Sequence, residues 1–219
     1  MPGVRERWQR DRIGSALYDF GVEHERVARL FGRLMWGTDA RRLYAEIAKL
    51  RSAPDAAAVL DVPCGGGVAF RGVPSERRGR YVAADLSPFM LARARREAAR
   101  LGLDGVELVQ ADVERLPFAD GSFDLCVSYN SLHCFPAPER AVGEIARVLR
   151  PGGELHGSTA VTGAGRRHDT LIALYRRVGI FGTCKRPEEV RRWLEDAGLE
   201  AVRVEVDGAV AYFSGRRPG

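Results

Sequence analysis

The chain has 219 residues, 45% of them hydrophobic, which is enough to bury the core of one α/β domain with an appendage. No apolar run is long enough to span a bilayer, and Met1 to Arg7 lacks the apolar core of a secretion signal, so a cytoplasmic location is expected. The net charge of +5 is carried almost entirely by arginine, Lys49 and Lys185 being the only lysines, and residues 1–52 hold 11 basic against 7 acidic side chains. Without a dense basic run interleaved with aromatics, a nucleic-acid partner is not indicated.

From about Arg5 to Arg51 the pattern is helical. Val27, Leu30, Phe31 and Leu34 fall on one face, and Thr38 or Asp39 opens a further helix through Leu43, Ile47 and Leu50. Ser52-Ala53-Pro54-Asp55 breaks the pattern, dividing a helical segment (1–52) from the remainder (53–219). Val59-Leu60-Asp61 then reads as a short apolar strand running into the turn Pro63-Cys64-Gly65-Gly66-Gly67. The helix after it should be short, because Gly72 and Pro74 interrupt it. A second strand, Tyr81 to Ala84, ends in Asp85, followed by Ser87 and Pro88 as N-cap and first residue of a helix lined by Met90, Ala94, Ala98 and Leu101.

A third strand, Val106 to Gln110, is followed by Asp112. A fourth begins at Phe123, and Val142, Ile145 and Leu149 line the helix before Arg150-Pro151-Gly152-Gly153 turns into a fifth. Val161 to Thr183 connects that strand to the next helix. Val202 to Val206, a turn at Asp207-Gly208, and Ala209 to Phe213 form a terminal hairpin. Strands alternating with helices specify a doubly wound, mostly parallel sheet.

Three strand ends therefore each offer a carboxylate on one sheet edge, where ligands of open α/β sheets bind. An ionised carboxylate can accept from both hydroxyls of a ribose, which suits Asp85. The glycine turn does not follow G-x-G-x-x-G, since Phe70 stands where the last glycine would be, so a dinucleotide is disfavoured. Asp61, ahead of the glycines, would repel a pyrophosphate and favour a cationic group. The plainer roles stay open beside these: Asp85 at a helix start and Asp112 as a turn acid bonding its own backbone.

These motifs resemble the class I, seven-strand S-adenosylmethionine-dependent methyltransferases, in the small-molecule branch that includes the quinone-biosynthesis type, over about Val59 to Phe213. The resemblance implies a seven-strand sheet with an antiparallel last strand, and the aromatic, apolar surface of the N-terminal helices suits a helical lid over it. It puts Asp61, Pro63, Cys64 and Gly65 to Gly67 under the methionine part of the cofactor. Asp85, with Leu86, would lie at the ribose, Asp112 and Val113 at the adenine, and Tyr129 at the turn after the fourth strand. Pro63 stands where many members carry glycine and stiffens that turn. The implied activity is methyl transfer from S-adenosylmethionine, leaving S-adenosylhomocysteine, to a small acceptor, with the oxygen of a phenolic, quinone-like or specialised metabolite favoured and nitrogen or carbon left open. A methyltransferase of RNA or protein, or a noncatalytic binder of the same fold, is the alternative.

Methyl transfer needs the acceptor held in line and water kept out, and positioning of that kind can supply about 7–11 kcal/mol. A base is needed only where the acceptor must lose a proton; His133, after the fourth strand, is the candidate. Tyr18, Trp36, Asn130, His133 and His168 are the candidate acceptor contacts, with the aromatics Phe20 and Tyr44 near the first two and Arg166 and Arg167 beside His168 for an anionic group. The scattered Cys64, Cys126, Cys134 and Cys184 form no C-x-x-C pair, so no metal site is expected. The N-terminal helices leave a homodimer open.

Overall fold

The computed structural model of the chain describes residues 32–219. The helical pattern read before Gly32, with Tyr18 and Phe20, lies outside the described residues. Gly32–Trp36 forms a single π-turn. Helix α1 (Ala40–Ala48) follows, started by Asp39, whose carboxylate accepts from the Arg41 N–H at 3.0 Å.

The sheet comprises β1 (Val59–Asp61), β2 (Tyr81–Asp85), β3 (Val106–Gln110), β4 (Phe123–Ser128), β5 (Leu149–Ala160), β6 (Glu200–Asp207) and β7 (Val210–Arg216). Its order is β3-β2-β1-β4-β5-β7-β6, with β7 antiparallel to both neighbours and the other pairings parallel. The antiparallel last strand is as expected. The order reverses between β1 and β4, which opens a crevice at the carboxyl ends of these two strands. Ser128, at the end of β4, ties it to the residue after β1 by donating to the Val62 carbonyl at 2.6 Å.

Every residue of β1 and β2 is buried, as expected for central parallel strands covered on both faces. One face packs Leu60, Val82, Cys126 and Leu155 against α3 (Pro138–Val148) and α5 (Pro187–Asp196). The other packs Val59, Tyr81, Ala83 and Val127 against Leu43 and Ile47 of α1 and Ala94 and Ala98 of α2 (Pro88–Leu101). Leu43, Ile47 and Leu50, within the segment read as a lid, pack on this face of the sheet. The α2 start is as read: Ser87 Oγ accepts from Met90 N at 3.4 Å, with Pro88 leading the helix. The segment after the glycine turn is a single short turn, Val68–Gly72.

Two readings change. Leu149, placed on a helix by its spacing, begins β5 and pairs with Phe123 of β4. The stretch Val161 to Thr183, read as a connection, contains helix α4 (Arg166–Arg177), which buries Ile172 beside Phe181 and Cys184. Among the described residues no helix is long and apolar enough to cross a membrane.

Candidate functional site

The crevice is a cleft, part of it open to solvent, bounded by the ends of β1, β2 and β4 and by the residues that follow β3. Pro63, Cys64, Gly65 and Gly66 form one side; Asp85, Leu86, Asp112 and Val113 another; Tyr129 and Asn130 stand at the mouth of β4. The structure therefore brings together ten of the residues singled out from sequence. It adds apolar walls that sequence reasoning missed, including Val62, Met90, Ala111 and Phe135, and one acid, Glu114. Glu114 stands two residues beyond Asp112 on the same turn, and that adjacency was the available signal.

Asp85 organises the floor. Its Oδ2 accepts from Gly65 N at 2.9 Å and its Oδ1 from Ser87 N at 2.8 Å, which locks the glycine turn to the start of α2. A carboxylate has about four acceptor positions, so at least one remains for a ligand beside these backbone groups. Burial pushes its pKa up to about 6, against the pull of the Ser87, Gly65 and Leu86 N–H groups. The helix-start role and a ligand role thus coexist on one side chain. Asp112 likewise shows the turn chemistry foreseen for it, accepting from Glu114 N at 3.0 Å while facing the cleft.

Asp61 is not at the cleft wall. It lies behind the turn with 2% exposure, accepting a hydrogen bond of 3.2 Å from the Tyr81 hydroxyl. Burial drives its pKa up to about 8; the Tyr81 bond opposes this and the nearby Asp85 adds to it. Gly67 is also turned away from the cleft. Its φ of 93° suits glycine, and a Cβ there would meet the Phe70 ring at 2.6 Å.

Asn130 holds a left-handed backbone, φ 49°, which asparagine tolerates better than most residues. Ser158 of β5 holds it there, accepting from Asn130 N at 3.0 Å. Tyr129 donates to the Glu46 carbonyl at 3.1 Å, and so separates the cleft from a second groove lined by Glu46, Lys49, Arg150 and His156.

His133 does not fit the role of a base. It is 2% exposed and outside the cleft lining, its Nδ1 accepts from Ala160 N at 3.0 Å, and its ring packs edge-on to Phe181 at 4.3 Å. With Nδ1 committed as acceptor, the neutral ring carries its proton on Nε2, which is buried without a partner. Burial lowers its pKa to about 3. Of the other acceptor candidates Asn130 lines the cleft, whereas Trp36 and His168 lie outside its lining. Trp36 stacks on Phe181 at 5.7 Å, and His168 lies against Gly37. Tyr18 is outside the described residues. Among the described residues no group of His, Cys, Asp and Glu could hold a metal ion.

Residues 60–156 match the family described as "Methyltransferase domain". The demethylmenaquinone methyltransferase of Thermus thermophilus is 40% identical over 129 residues, covering 58% of this chain and 57% of that protein. The 2-methyl-6-phytyl-1,4-hydroquinone methyltransferase 1 of Oryza sativa subsp. japonica is 30% identical over 162 residues, covering 74% of this chain and 46% of that protein. This chain thus spans about half the length of these curated relatives. Among solved structures, the [4+2]-cyclase SpnF superposes with a TM-score of 0.68 at 22% identity, covering 82% of each chain. That likeness is one of fold, and one fold hosts different chemistries.

Proposed function

With residues 60–156 making this chain a member of the class I S-adenosylmethionine-dependent methyltransferases, we propose that it transfers a methyl group to a small aromatic or quinone-like acceptor bearing an apolar tail. The observation that carries the reading is the cleft in which Asp85, already anchored by Gly65 and Ser87, meets Asp112 and apolar walls at the switch in strand order. These residues fit an adenosyl group. Asp85 has acceptor capacity left for the ribose diol, Asp112 is an acceptor suited to the adenine amine, and Val113, Leu86 and Met90 offer an apolar bed for a flat ring.

The chemistry brought by that cofactor is an activated methyl on a sulfonium, with S-adenosylhomocysteine left behind. The chain's own work is positional. The turn Pro63 to Gly66 presents backbone to the cofactor's amino-acid part, and Asp61 behind it supplies negative potential once ionised. Tyr129 and Asn130, fixed by Glu46 and Ser158, wall the side from which an acceptor enters. Phe135 and Pro136 help keep water from that end. No proton acceptor is assigned to His133 in this reading.

The apolar tail is inferred from the two curated relatives, whose names specify demethylmenaquinone and 2-methyl-6-phytyl-1,4-hydroquinone. A phenolic oxygen is the favoured acceptor atom, residues 53–219 the cofactor-binding unit, and the cytoplasm the compartment. The test is calorimetry with S-adenosylmethionine on the parent and on Asp85→Ala, followed by transfer of a ¹³C-labelled methyl to a short-tailed hydroquinone. The expected results are binding at least about tenfold weaker in the variant, as for loss of a hydrogen bond to a charged group, and a labelled product whose methyl resonance distinguishes oxygen from carbon. Equal binding by the variant overturns the assigned ribose contact.

A further inference from the structure

The arginines at the start of α4 were read from sequence as a wall for an anionic acceptor, yet the helix turns them to solvent. Arg166, Arg167 and Arg177 are exposed, and on the same side stand Leu174 and, just past the helix end, Val178, 53% and 40% exposed. The spacing explains this: 166, 170, 174 and 178 follow one another at four-residue steps along one side, while Ile172 takes the opposite side and is buried. Arg167 donates to the Leu34 carbonyl at 2.7 Å, which brings Leu34, 52% exposed, beside the helix. Among the described residues four large apolar side chains are exposed; two stand at this helix and a third, Leu34, belongs to the residue whose carbonyl Arg167 holds. The sole acid of the helix, Asp169, turns to the preceding loop and accepts from Gly163 N at 2.8 Å, leaving the face cationic.

Scattered exposed leucines need no explanation, but apolar side chains gathered on one helix face among arginines match a surface that lies in a bilayer interface. We propose that the solvent face of α4, with Leu34 beside it, docks on an anionic lipid bilayer, the leucines and valine entering the headgroup region and the arginines pairing with phosphate. The inference rests on the reading that the acceptor carries an apolar tail. Charge complementarity selects the occupant: apolar tips of this size give shallow insertion, and each arginine near an anionic surface strengthens binding severalfold. The helix is far too short and too charged to span the membrane.

The test is co-sedimentation of the whole chain with vesicles. Phosphatidylglycerol–phosphatidylcholine vesicles at low salt should retain the protein, and phosphatidylcholine alone should retain it at least about tenfold less. Leu174→Ser/Val178→Ser and Arg166→Glu/Arg177→Glu should each lose about tenfold or more in partitioning. Arg95→Glu/Arg96→Glu, an equal charge change on α2, should bind as the parent does. All six positions are exposed, and an unchanged circular dichroism melt certifies each variant's fold. The proposal is overturned if the parent ignores anionic vesicles, if either α4 variant binds like the parent, or if the α2 variant loses as much. Retention by nucleic acid or protein in place of vesicles overturns it equally. Methylation of a soluble short-tailed hydroquinone, measured without vesicles, reads the methyltransferase assignment separately, so failure of one is distinguishable from failure of the other.

Discussion

Asp61→Asn should stabilise the ligand-free protein, and increasingly so as pH rises. The Asp61 carboxyl titrates near 8 in the fold against 3.8 for the ordinary group, because burial penalises its charge. A carboxyl with a raised folded-state pKa holds its proton more tightly in the native state. Its contribution is therefore fully present below about pH 4 and is lost as pH rises through 8. At ~1.4 kcal/mol per pKa unit, ionising Asp61 costs the fold roughly 2 kcal/mol at pH 5, roughly 4 at pH 7 and between about 5 and 6 at pH 9. Asparagine does not titrate, and its carbonyl can still accept from Tyr81. Its own packing cost is independent of pH and cancels when one pH is compared with another. Urea unfolding of both proteins at pH 5, 7 and 9 should show the stability difference growing in the variant's favour by about 4 kcal/mol across that range. A difference that stays flat refutes the reasoning, because it would mean that Asp61 is ionised in the fold at no cost. The same substitution should weaken S-adenosylmethionine binding, making the site a place where stability is given up for function.

Asp85, with a pKa near 6, loses its charge below neutrality, so S-adenosylhomocysteine should bind about tenfold more weakly at pH 5 than at pH 7 by calorimetry, and Asp85→Asn should flatten that dependence. His133→Phe leaves Ala160 N–H unpaired and should cost about 1–3 kcal/mol in urea unfolding; in the folded fraction, the pH profile of methyl transfer between 5 and 8 should keep its shape, whereas a working base would remove one limb. Gly182→Ala places a Cβ 2.4 Å from the Phe135 carbonyl, where Gly182 N already donates to the His133 carbonyl. Overpacking of this kind should lower stability by about 1–3 kcal/mol and disturb the cleft wall at Phe135, read as a drop in thermal midpoint together with weaker cofactor binding.

The sheet and its ligand edge were legible because central parallel strands announce themselves as uninterrupted apolar runs. Val59 to Asp61 and Tyr81 to Asp85 are buried throughout and end in acids that period and spacing could locate. The start of α2 was legible from Ser87 and Pro88, whose chemistry is local. What sequence did not disclose depended on tertiary contact. Helix α4 buries only Ile172 completely, so its apolar periodicity is weak, and its arginines look the same in sequence whether they face a cleft or solvent. Leu149 fits the helical spacing of Val142 and Ile145, and only its pairing with Phe123 assigns it to a strand. His133 follows β4 as a base would, but the Ala160 N–H that occupies its lone pair comes from β5, 27 residues away. Asp61 shows the same limit in another form: its place at a strand end was readable, its retreat behind the turn toward Tyr81 was not.

The most direct measurement of the central claim is a crystal structure of the chain with S-adenosylhomocysteine bound. Both ribose hydroxyls should lie within hydrogen-bonding distance of the Asp85 carboxylate, with the adenine between Val113 and Leu86. A nucleoside bound elsewhere, or an Asp85 that keeps only Gly65 and Ser87 as partners, would contradict it.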